Sequence, residues 1–318
     1  MQRREMLLGA LALGLGAGAR AQAAKPLVGV LVATGLAPLD GLRRGLQAQG
    51  LVEDRDYAIA FRSADGNPRD LPRLARHLAE LEPKVLFCAG PGAVYGAVHA
   101  TSRVPIVALD LETDPLRSAL VRSVQKPRTN VTGIFLDQGR ITARWFELLR
   151  QALPQARQLN LFWEASAGPW QLGAAKNAAR RFGFDTDTLV VRDERDFDAE
   201  LAESLQRKPD AMMLLSSPLV RARSAQLAEF CTAHRLPAIA PFLEFPRAGG
   251  LMSYGPDVQD YYLRAATYVD KILKGARPGD LALSLPDNFR LVVNERAAEA
   301  IGVTLPPALI GAAQEVIR

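Results

Sequence analysis

The sequence has few of the residues that build metal centres and disulfide frameworks. Its 318 residues include only two cysteines, which excludes a disulfide scaffold and a cysteine-rich zinc module. The three histidines, His77, His99 and His234, are too few and too scattered for a multi-histidine metal site. We therefore expect no bound metal, and most classes of metalloenzyme are disfavoured.

Long apolar runs and one-sided charge are also scarce. The net charge is only +5, the basic residues are spread among acids, and aromatic residues make up 7% of the chain. Nucleic-acid binding needs a basic patch with interleaved aromatic side chains, so we expect no nucleic-acid partner. The longest apolar stretch, residues 6–19, is shorter than the roughly 20 residues that span a bilayer. We therefore expect a soluble mature protein.

The first 21 residues have the pattern of an export signal. A basic start with Arg3 and Arg4 precedes the apolar stretch, and Ala19-Arg20-Ala21 is a small-x-small cleavage site. The arginine pair resembles the twin-arginine export pattern, and an ordinary secretory signal is the alternative. The first cysteine is Cys88, so the thiol that a lipoprotein anchor requires is missing near the cleavage point. We expect removal of residues 1–21 and release of the protein into the periplasm.

The remaining chain reads as two α/β halves. Apolar strand-like runs alternate with segments of helical spacing, which is typical of doubly wound parallel sheets. The predicted strands are 27–33, 57–62, 85–89, 105–110 and 130–135 in the first half, and 158–163, 188–191, 211–215 and 237–240 in the second. Further strands are predicted at 251–254 and 289–293. Two such lobes imply a cleft between them.

The boundaries of two lobes and a tail are predicted as follows. The first lobe is predicted over 25–136 plus about 252–283, and the second over 137–251 plus about 284–294. A helical tail is predicted over 295–318. Ligands of open α/β sheets bind at the carboxyl ends of the strands, so the residues at those ends are the candidate site.

The strand ends carry polar, small and aromatic residues. They offer hydrogen-bond donors, acceptors and stacking faces, but no nucleophile beside a base, so we assign no catalytic residue. The candidate ligand-binding residues are Thr34, Asp40, Gly90, Gly92, Asp110, Thr113, Asp114, Trp163, Ser166, Ser216, Ser217 and Phe242. Trp145, by contrast, lies on an apolar helical face and is predicted to belong to the core.

Enzyme-like patterns in the chain are incomplete. Gly90-Pro91-Gly92 after a strand imitates a dinucleotide-binding turn, but Tyr95 occupies the position of the third small residue and Pro91 lacks an amide hydrogen. We therefore expect no nucleotide cofactor. Cys88 ends a strand and is either a reactive thiol or a small buried residue. A disulfide from Cys88 to Cys231 is a further alternative.

Several segments together resemble one family of extracytoplasmic solute-binding proteins of ABC transporters, the family with tryptophan- and phenylalanine-binding members. The resemblance covers essentially the whole chain. It rests on Arg3-Arg4-Glu5-Met6-Leu7, Asp40-Gly41-Leu42-Arg43-Arg44-Gly45-Leu46, Asn130-Val131-Thr132-Gly133, residues 248–255, Ile272-Leu273-Lys274-Gly275, Leu291-Val292-Val293-Asn294 and Thr304-Leu305-Pro306-Pro307. The family's ligand contacts fall in the turns selected above, although the turn over 163–170 departs from the family's Asn-Pro-rich pattern.

The resemblance implies a type I periplasmic binding protein with two lobes joined by three crossover strands. Such a protein captures a small organic solute by hinge closure and delivers it, as a monomer, to ABC permease subunits in the inner membrane. Aromatic amino acids or aromatic carboxylates are favoured by the family and by Trp163, Phe242 and Phe245. Two alternatives stay open: an exported α/β enzyme using Glu164, Asp110 or Cys88, and a ligand-sensing subunit of a membrane receptor.

Overall fold

The computed structural model describes residues 25–285 and 288–318, which form two β-sheets with helices on their faces. The predicted export signal lies outside the described residues. No helix in the described ranges is both long and apolar enough to cross a bilayer.

The first sheet has the strand order β2-β1-β3-β4-β5, and every pairing in it is parallel. Strands β3 to β5 are buried along their whole length, which explains their unbroken apolar runs. The strands are β1 (Leu27–Val32), β2 (Ala58–Ser63), β3 (Val85–Ala89), β4 (Ile106–Asp110) and β5 (Val131–Phe135).

The second sheet has the order β12-β11-β10-β9-β8-β6-β7, and only the pair of β10 and β11 is antiparallel within it. Its strands are β6 (Gln158–Glu164), β7 (Asp185–Val191), β8 (Ala211–Leu214), β9 (Ala238–Ala240), β10 (Met252–Pro256), β11 (Phe289–Asn294) and β12 (Glu315–Ile317).

Helices cover the faces of both sheets. Several begin with a side-chain cap or with proline in the first turn, which matches the preferences of helix N-termini. The helices are α1 (Ala37–Ala48), α2 (Leu71–Glu80), α3 (Pro91–Ala100), α4 (Gln138–Ala152), α5 (Pro169–Arg181), α6 (Phe197–Gln206), α7 (Pro218–Ala222), α8 (Ser224–Ala233), α9 (Glu244–Arg247), α10 (Val258–Leu273), α11 (Glu295–Ile301) and α12 (Pro307–Ala312). Short 3-10 turns lie at Pro68–Asp70, Ala165–Ala167, Glu194–Asp196 and Pro278–Asp280.

The chain passes between the two lobes three times. It leaves the first lobe after β5 and returns to it between β10 and α10. Ser284 still belongs to the first lobe, because it forms a bridge to Ile134 of β5, and the chain has crossed to the second lobe by β11. Helix α10 packs against α1 and β4 of the first lobe, and its N-terminus is capped by Asp257, whose carboxylate accepts the amide of Gln259 at 3.0 Å.

The structure differs from the sequence prediction at two boundaries. Strand β10 was expected in the first lobe, but it pairs with β9 and β11 in the second sheet, so the crossing follows Pro256 rather than residue 251. The tail was expected to be helical to its end, but β12 pairs with β11. Three residues are too few to show a strand period in a sequence.

Trp145 lies in the core, as predicted. It is 1% exposed, and its indole N–H donates to the carbonyl of Tyr254 at 2.6 Å. This contact ties α4 to β10 in the second lobe, beside one of the connections between the lobes.

Candidate functional site

A cavity of about 290 Å³ lies between the lobes at the carboxyl ends of the strands. The first lobe contributes residues 32–38 at the end of β1, Gly90 after β3, and Leu109, Leu111 and Glu112 at the end of β4 and beyond it. The second lobe contributes Ser217 and Arg221 on the β8 side and Phe242 on the β9 side. The position agrees with the general rule for open α/β sheets, and the volume suits one small molecule.

Arg221 is the cation of this cavity, and it is held by groups from both lobes. Its Nη2 lies 3.0 Å from Glu244 Oε1 in the second lobe, and its Nη1 donates to the Tyr262 hydroxyl at 2.9 Å. Tyr262 belongs to α10, which packs on the first lobe, so this hydrogen bond crosses the cleft. The arginine side chain is 17% exposed and therefore largely withdrawn from water.

Glu112 carries a second hydrogen bond across the cleft. Ser216 Oγ of the second lobe donates to Glu112 Oε1 at 2.5 Å, and the amide of Leu111 donates to the other carboxylate oxygen at 3.1 Å. Burial raises the pKa of the Glu112 carboxyl to about 8, and the neighbouring charge of Asp110 adds to the effect. A carboxyl in this environment favours its neutral form.

The lobes also touch through backbone and ring atoms. Gly90 has φ +90°, a conformation that side chains rarely adopt, and a Cβ atom there would lie 2.8 Å from Pro218 Cγ of the second lobe. Two cross-lobe hydrogen bonds and this contact therefore join the lobes beside the cavity.

Four of the residues predicted for the site line the cavity: Thr34, Gly90, Ser217 and Phe242. Ser217 also caps α7, because its hydroxyl accepts the amide of Val220 at 3.0 Å. Ser216 lies beside the cavity, where it contacts Glu112.

Three predicted residues of the loop after β4 stabilise that loop instead. Asp110 is fully buried and accepts the amides of Glu112 and Thr113 at 3.0 and 2.9 Å. Thr113 is equally buried. Asp114 accepts the amides of Leu116 and Arg117, which is the local hydrogen bonding typical of aspartate in turns.

The other predicted residues are not part of the cavity lining. Asp40 is exposed, and its Oδ1 lies 3.7 Å from Nη1 of Arg43. Gly92 faces the interior of the first lobe, where an added Cβ atom would meet Leu71. Trp163 is half-buried against the core and donates its indole N–H to Gly168 at 3.2 Å. Ser166 donates to the carboxylate of Glu164. The polar atoms of Trp163 and Ser166 are thus used within the local turn after β6.

The most polar groups of the cavity were missed by sequence reasoning, namely Glu112, Arg221, Glu244 and Tyr262. Arg221 carried a signal, because it is a charged residue one turn into a short helix that begins directly after a strand. Glu112 carried a second signal, because it is a charged residue that closely follows the mostly apolar strand β4.

Both cysteines are free thiols in the interior. Cys88 and Cys231 are buried in separate clusters, and no disulfide joins them. Burial raises the pKa of the Cys231 thiol to about 12 and raises the pKa of the Cys88 thiol as well. Of the alternatives for Cys88, the structure therefore favours a small buried residue over a reactive thiol.

A larger groove of about 1320 Å³ lies at the opposite, amino ends of the first sheet's strands. It is lined by surface residues including Arg76, Lys84 and Arg103, which are exposed. Parallel sheets do not present their ligand sites at this edge, so the cleft cavity is the better candidate. Within the described residues, no group of three His, Cys, Asp or Glu side chains is arranged to hold a metal ion.

Known proteins resemble this chain in sequence and in fold. The chain is 20% identical over 267 residues to a tyrosine-binding protein of Clostridioides difficile, covering 82% of this chain and 75% of the relative. An ABC domain in complex with L-Trp from Streptococcus pneumonia superposes with a TM-score of 0.81 at 21% identity, covering 92% of this chain and all of that one.

A ligand-free, open structure of a substrate-binding protein from Clostridium difficile superposes less closely, with a TM-score of 0.61 at 22% identity. It covers 92% of this chain and 99% of that chain. Periplasmic binding proteins of the type I fold share the same two-lobed architecture, which confirms the fold prediction. The family of ABC transporter substrate binding proteins matches residues 33–317, nearly the whole described chain. The chain belongs to that family.

Proposed function

We propose that this protein captures one small organic solute in the cleft cavity by hinge closure and delivers it to the permease of an ABC importer. The observation that carries the proposal is the cavity between the lobes, which is bordered by hydrogen bonds from both of them. Contacts that exist only in the closed state give the solute a differential affinity for that state, and this drives closure.

The chemistry of the cavity favours an aromatic amino acid or an aromatic carboxylate. Arg221 supplies a guanidinium that matches a carboxylate, and Phe242 and Tyr262 supply aromatic walls. A volume of about 290 Å³ is at the small end of the range for ligand pockets, as expected for a single amino acid. The relatives described above bind tyrosine and L-Trp, which agrees with this class.

The two superpositions support the hinge. The described chain resembles the L-Trp complex more closely than the ligand-free, open structure, with TM-scores of 0.81 and 0.61 at almost the same sequence identity. The cross-lobe contacts of Ser216 and Arg221 agree with a closed state. Opening would break both contacts without disturbing either sheet.

A thermal-shift screen against the amino acids and aromatic carboxylates tests the proposal. At 100 times its dissociation constant, a bound solute stabilises the folded protein by about 2.7 kcal/mol, which is a readily measured shift. We expect a shift with L-tyrosine, L-tryptophan or a related aromatic acid. The solute should be recovered chemically unchanged, because the enzyme alternative requires turnover. The absence of a shift across the whole panel contradicts the proposal.

Replacing Arg221 with glutamine should weaken capture of the solute found in that screen by about tenfold, or about 1.4 kcal/mol. The variant loses a charge-assisted hydrogen bond to the carboxylate. Arg223→Gln is the matched control, because Arg223 pairs with Glu194 outside the cavity and its side chain is 40% exposed. Calorimetric titration of both variants should show loss of affinity for Arg221→Gln only, and equal losses would place the carboxylate elsewhere.

We further propose periplasmic delivery through the signal over residues 1–21. Cleavage after Ala21 should leave a mature chain that begins near Gln22 or Ala24 and carries no lipid. Intact-mass measurement of the protein from the periplasmic fraction checks this. A mass that retains Met1, or one that includes a diacylglyceryl group, would contradict the proposed processing.

A further inference from the structure

Glu112 is a buried carboxyl that both lobes share. It follows β4 of the first lobe, lines the cavity and is 2% exposed. One oxygen accepts the amide of Leu111 in its own lobe, and the other contacts Ser216 Oγ at 2.5 Å in the second lobe. Since the serine leaves when the lobes separate, opening the cleft brings water to this carboxyl and closing removes it.

Two more carboxyls from both lobes converge on the same place. Asp110 belongs to the same loop and is fully buried, and Glu164 at the end of β6 in the second lobe is 6% exposed. Each of these carboxylates, when charged, raises the pKa of Glu112, and burial raises the pKa of Asp110 as well. Glu164 Oε2 has no hydrogen-bond partner among residues 25–285 and 288–318. The cluster is therefore acidic and incompletely satisfied.

The remaining charged groups around the cavity do not compensate Glu112. Arg221 lines the same cavity, but its only carboxylate partner within 4.0 Å among the described residues is Glu244, so it forms no ion pair with Glu112. Within the described ranges, no ion pair of 4.0 Å or less joins Glu112, Asp110 or Glu164 to a lysine, arginine or histidine. An unpaired carboxylate in such an interior is costly, and the neutral acid avoids that cost.

We propose that Glu112 enters the closed cleft as a neutral carboxylic acid, so that closure of the lobes around a solute takes up one proton from solvent. The proposal rests on the hinge closure proposed above. With the proton on Oε1, the 2.5 Å contact with Ser216 Oγ is kept but its direction is reversed, because Glu112 then donates and the hydroxyl accepts, while Oε2 still accepts the amide of Leu111. The neutral acid also leaves the cavity wall without a negative charge that would repel the carboxylate of the solute.

The direction of the pH dependence follows from linkage. In water a glutamate titrates near pKa 4.3, whereas burial and then Asp110 raise the pKa of Glu112 to about 8 in the closed cleft. Protonation of Glu112 favours the closed state over the open state by its full amount below about pH 4.3. This preference for the closed state is lost as the pH rises through about 8. Between these values each pH unit changes the closing equilibrium by up to about tenfold, because one proton is bound per closure.

The test measures closure directly without a solute, so it is independent of the solute's identity. Fluorescent dyes are placed on Arg76→Cys in α2 and Lys176→Cys in α5, two exposed positions in different lobes, while the native cysteines are buried. Energy transfer is then recorded from pH 5 to 9. We expect the closed fraction to fall with rising pH, and we expect Glu112→Gln to remove this dependence while retaining a closed population.

Two further variants sharpen the result. Glu229→Gln makes the same chemical change at an exposed site on α8 and should keep the parent profile. Asp110→Asn keeps an acceptor for the loop amides but removes a neighbouring charge, so its profile should move to lower pH. If Glu112→Gln fails to fold, the shift of the Asp110→Asn profile tests the proposal in its place. A parent protein whose energy transfer does not change with pH, or a Glu112→Gln profile identical to the parent's, overturns the proposal.

Discussion

Replacing Gly90 with alanine is expected to prevent full closure of the lobes and to weaken solute capture by about ten- to hundredfold. A Cβ atom at Gly90 would lie 2.8 Å from Pro218 Cγ in the opposite lobe, which is closer than ordinary van der Waals contact. Overpacking of this kind costs about 1–3 kcal/mol, and about 1.4 kcal/mol corresponds to tenfold in affinity. Opening the cleft relieves the contact, so the closed state bears the cost.

Gly168→Ala is the matched control for this prediction. Gly168 has φ 78° and ψ 173°, close to the φ 90° and ψ 156° of Gly90, and each glycine precedes a proline at the start of a helix. A Cβ on Gly168 would meet nothing within 4 Å. Both variants should therefore lose a similar amount of stability through backbone strain, about 1–3 kcal/mol.

Urea unfolding and calorimetric titration separate the two effects. The account predicts similar losses of unfolding free energy for both glycine variants but a loss of affinity for Gly90→Ala alone. Equal affinities for the two variants would show that the contact between Gly90 and Pro218 is not part of the solute-bound state.

Replacing Trp145 with alanine should lower the free energy of unfolding by about 3–5 kcal/mol, the range for truncation of a large aromatic side chain in a core. Trp145 is 1% exposed, and the substitution also leaves the carbonyl of Tyr254 without the indole hydrogen bond. The effect should appear in the solute-free protein, because the residue lies inside the second lobe and not in the cleft cavity.

Trp163→Ala provides the comparison for the same side chain in a different environment. Trp163 is only partly buried against the core, so its truncation should cost less than that of Trp145. It also lies outside the cavity, so the affinity for solute should be nearly unchanged. Chemical unfolding of both variants checks the order, and a larger loss for Trp163→Ala would contradict the burial of the two residues.

The arrangement of secondary structure was largely predictable because it is encoded locally. Strand β3 is an apolar run of five buried residues, and α2 repeats Leu71, Leu74 and Leu78 at helical spacing. The cleft can then be located at the carboxyl ends of the parallel strands, even when the side-chain contacts are not known. This reasoning selected Thr34, Gly90, Ser217 and Phe242, and all four line the cavity.

The polar residues of the cavity were not predictable in the same way, because they depend on which side chains of the two lobes face each other. Arg221 and Tyr262 are 41 residues apart, and their hydrogen bond joins residues that pack in different lobes. Trp163 at the end of a strand was expected in the site, but its N–H is satisfied by Gly168 five residues further on. Local hydrogen bonds of this kind redirect side chains that a strand-end rule assigns to the cleft.

Small-angle X-ray scattering, with and without the solute found by thermal shift, is the sharpest test of hinge closure in this protein. The account predicts a smaller radius of gyration when the solute is bound, because the lobes close around the cavity. It also predicts that Gly90→Ala, held partly open by Pro218, shows a smaller decrease. A radius of gyration that stays constant while the wild-type protein binds its solute at one-to-one stoichiometry would contradict capture by hinge closure.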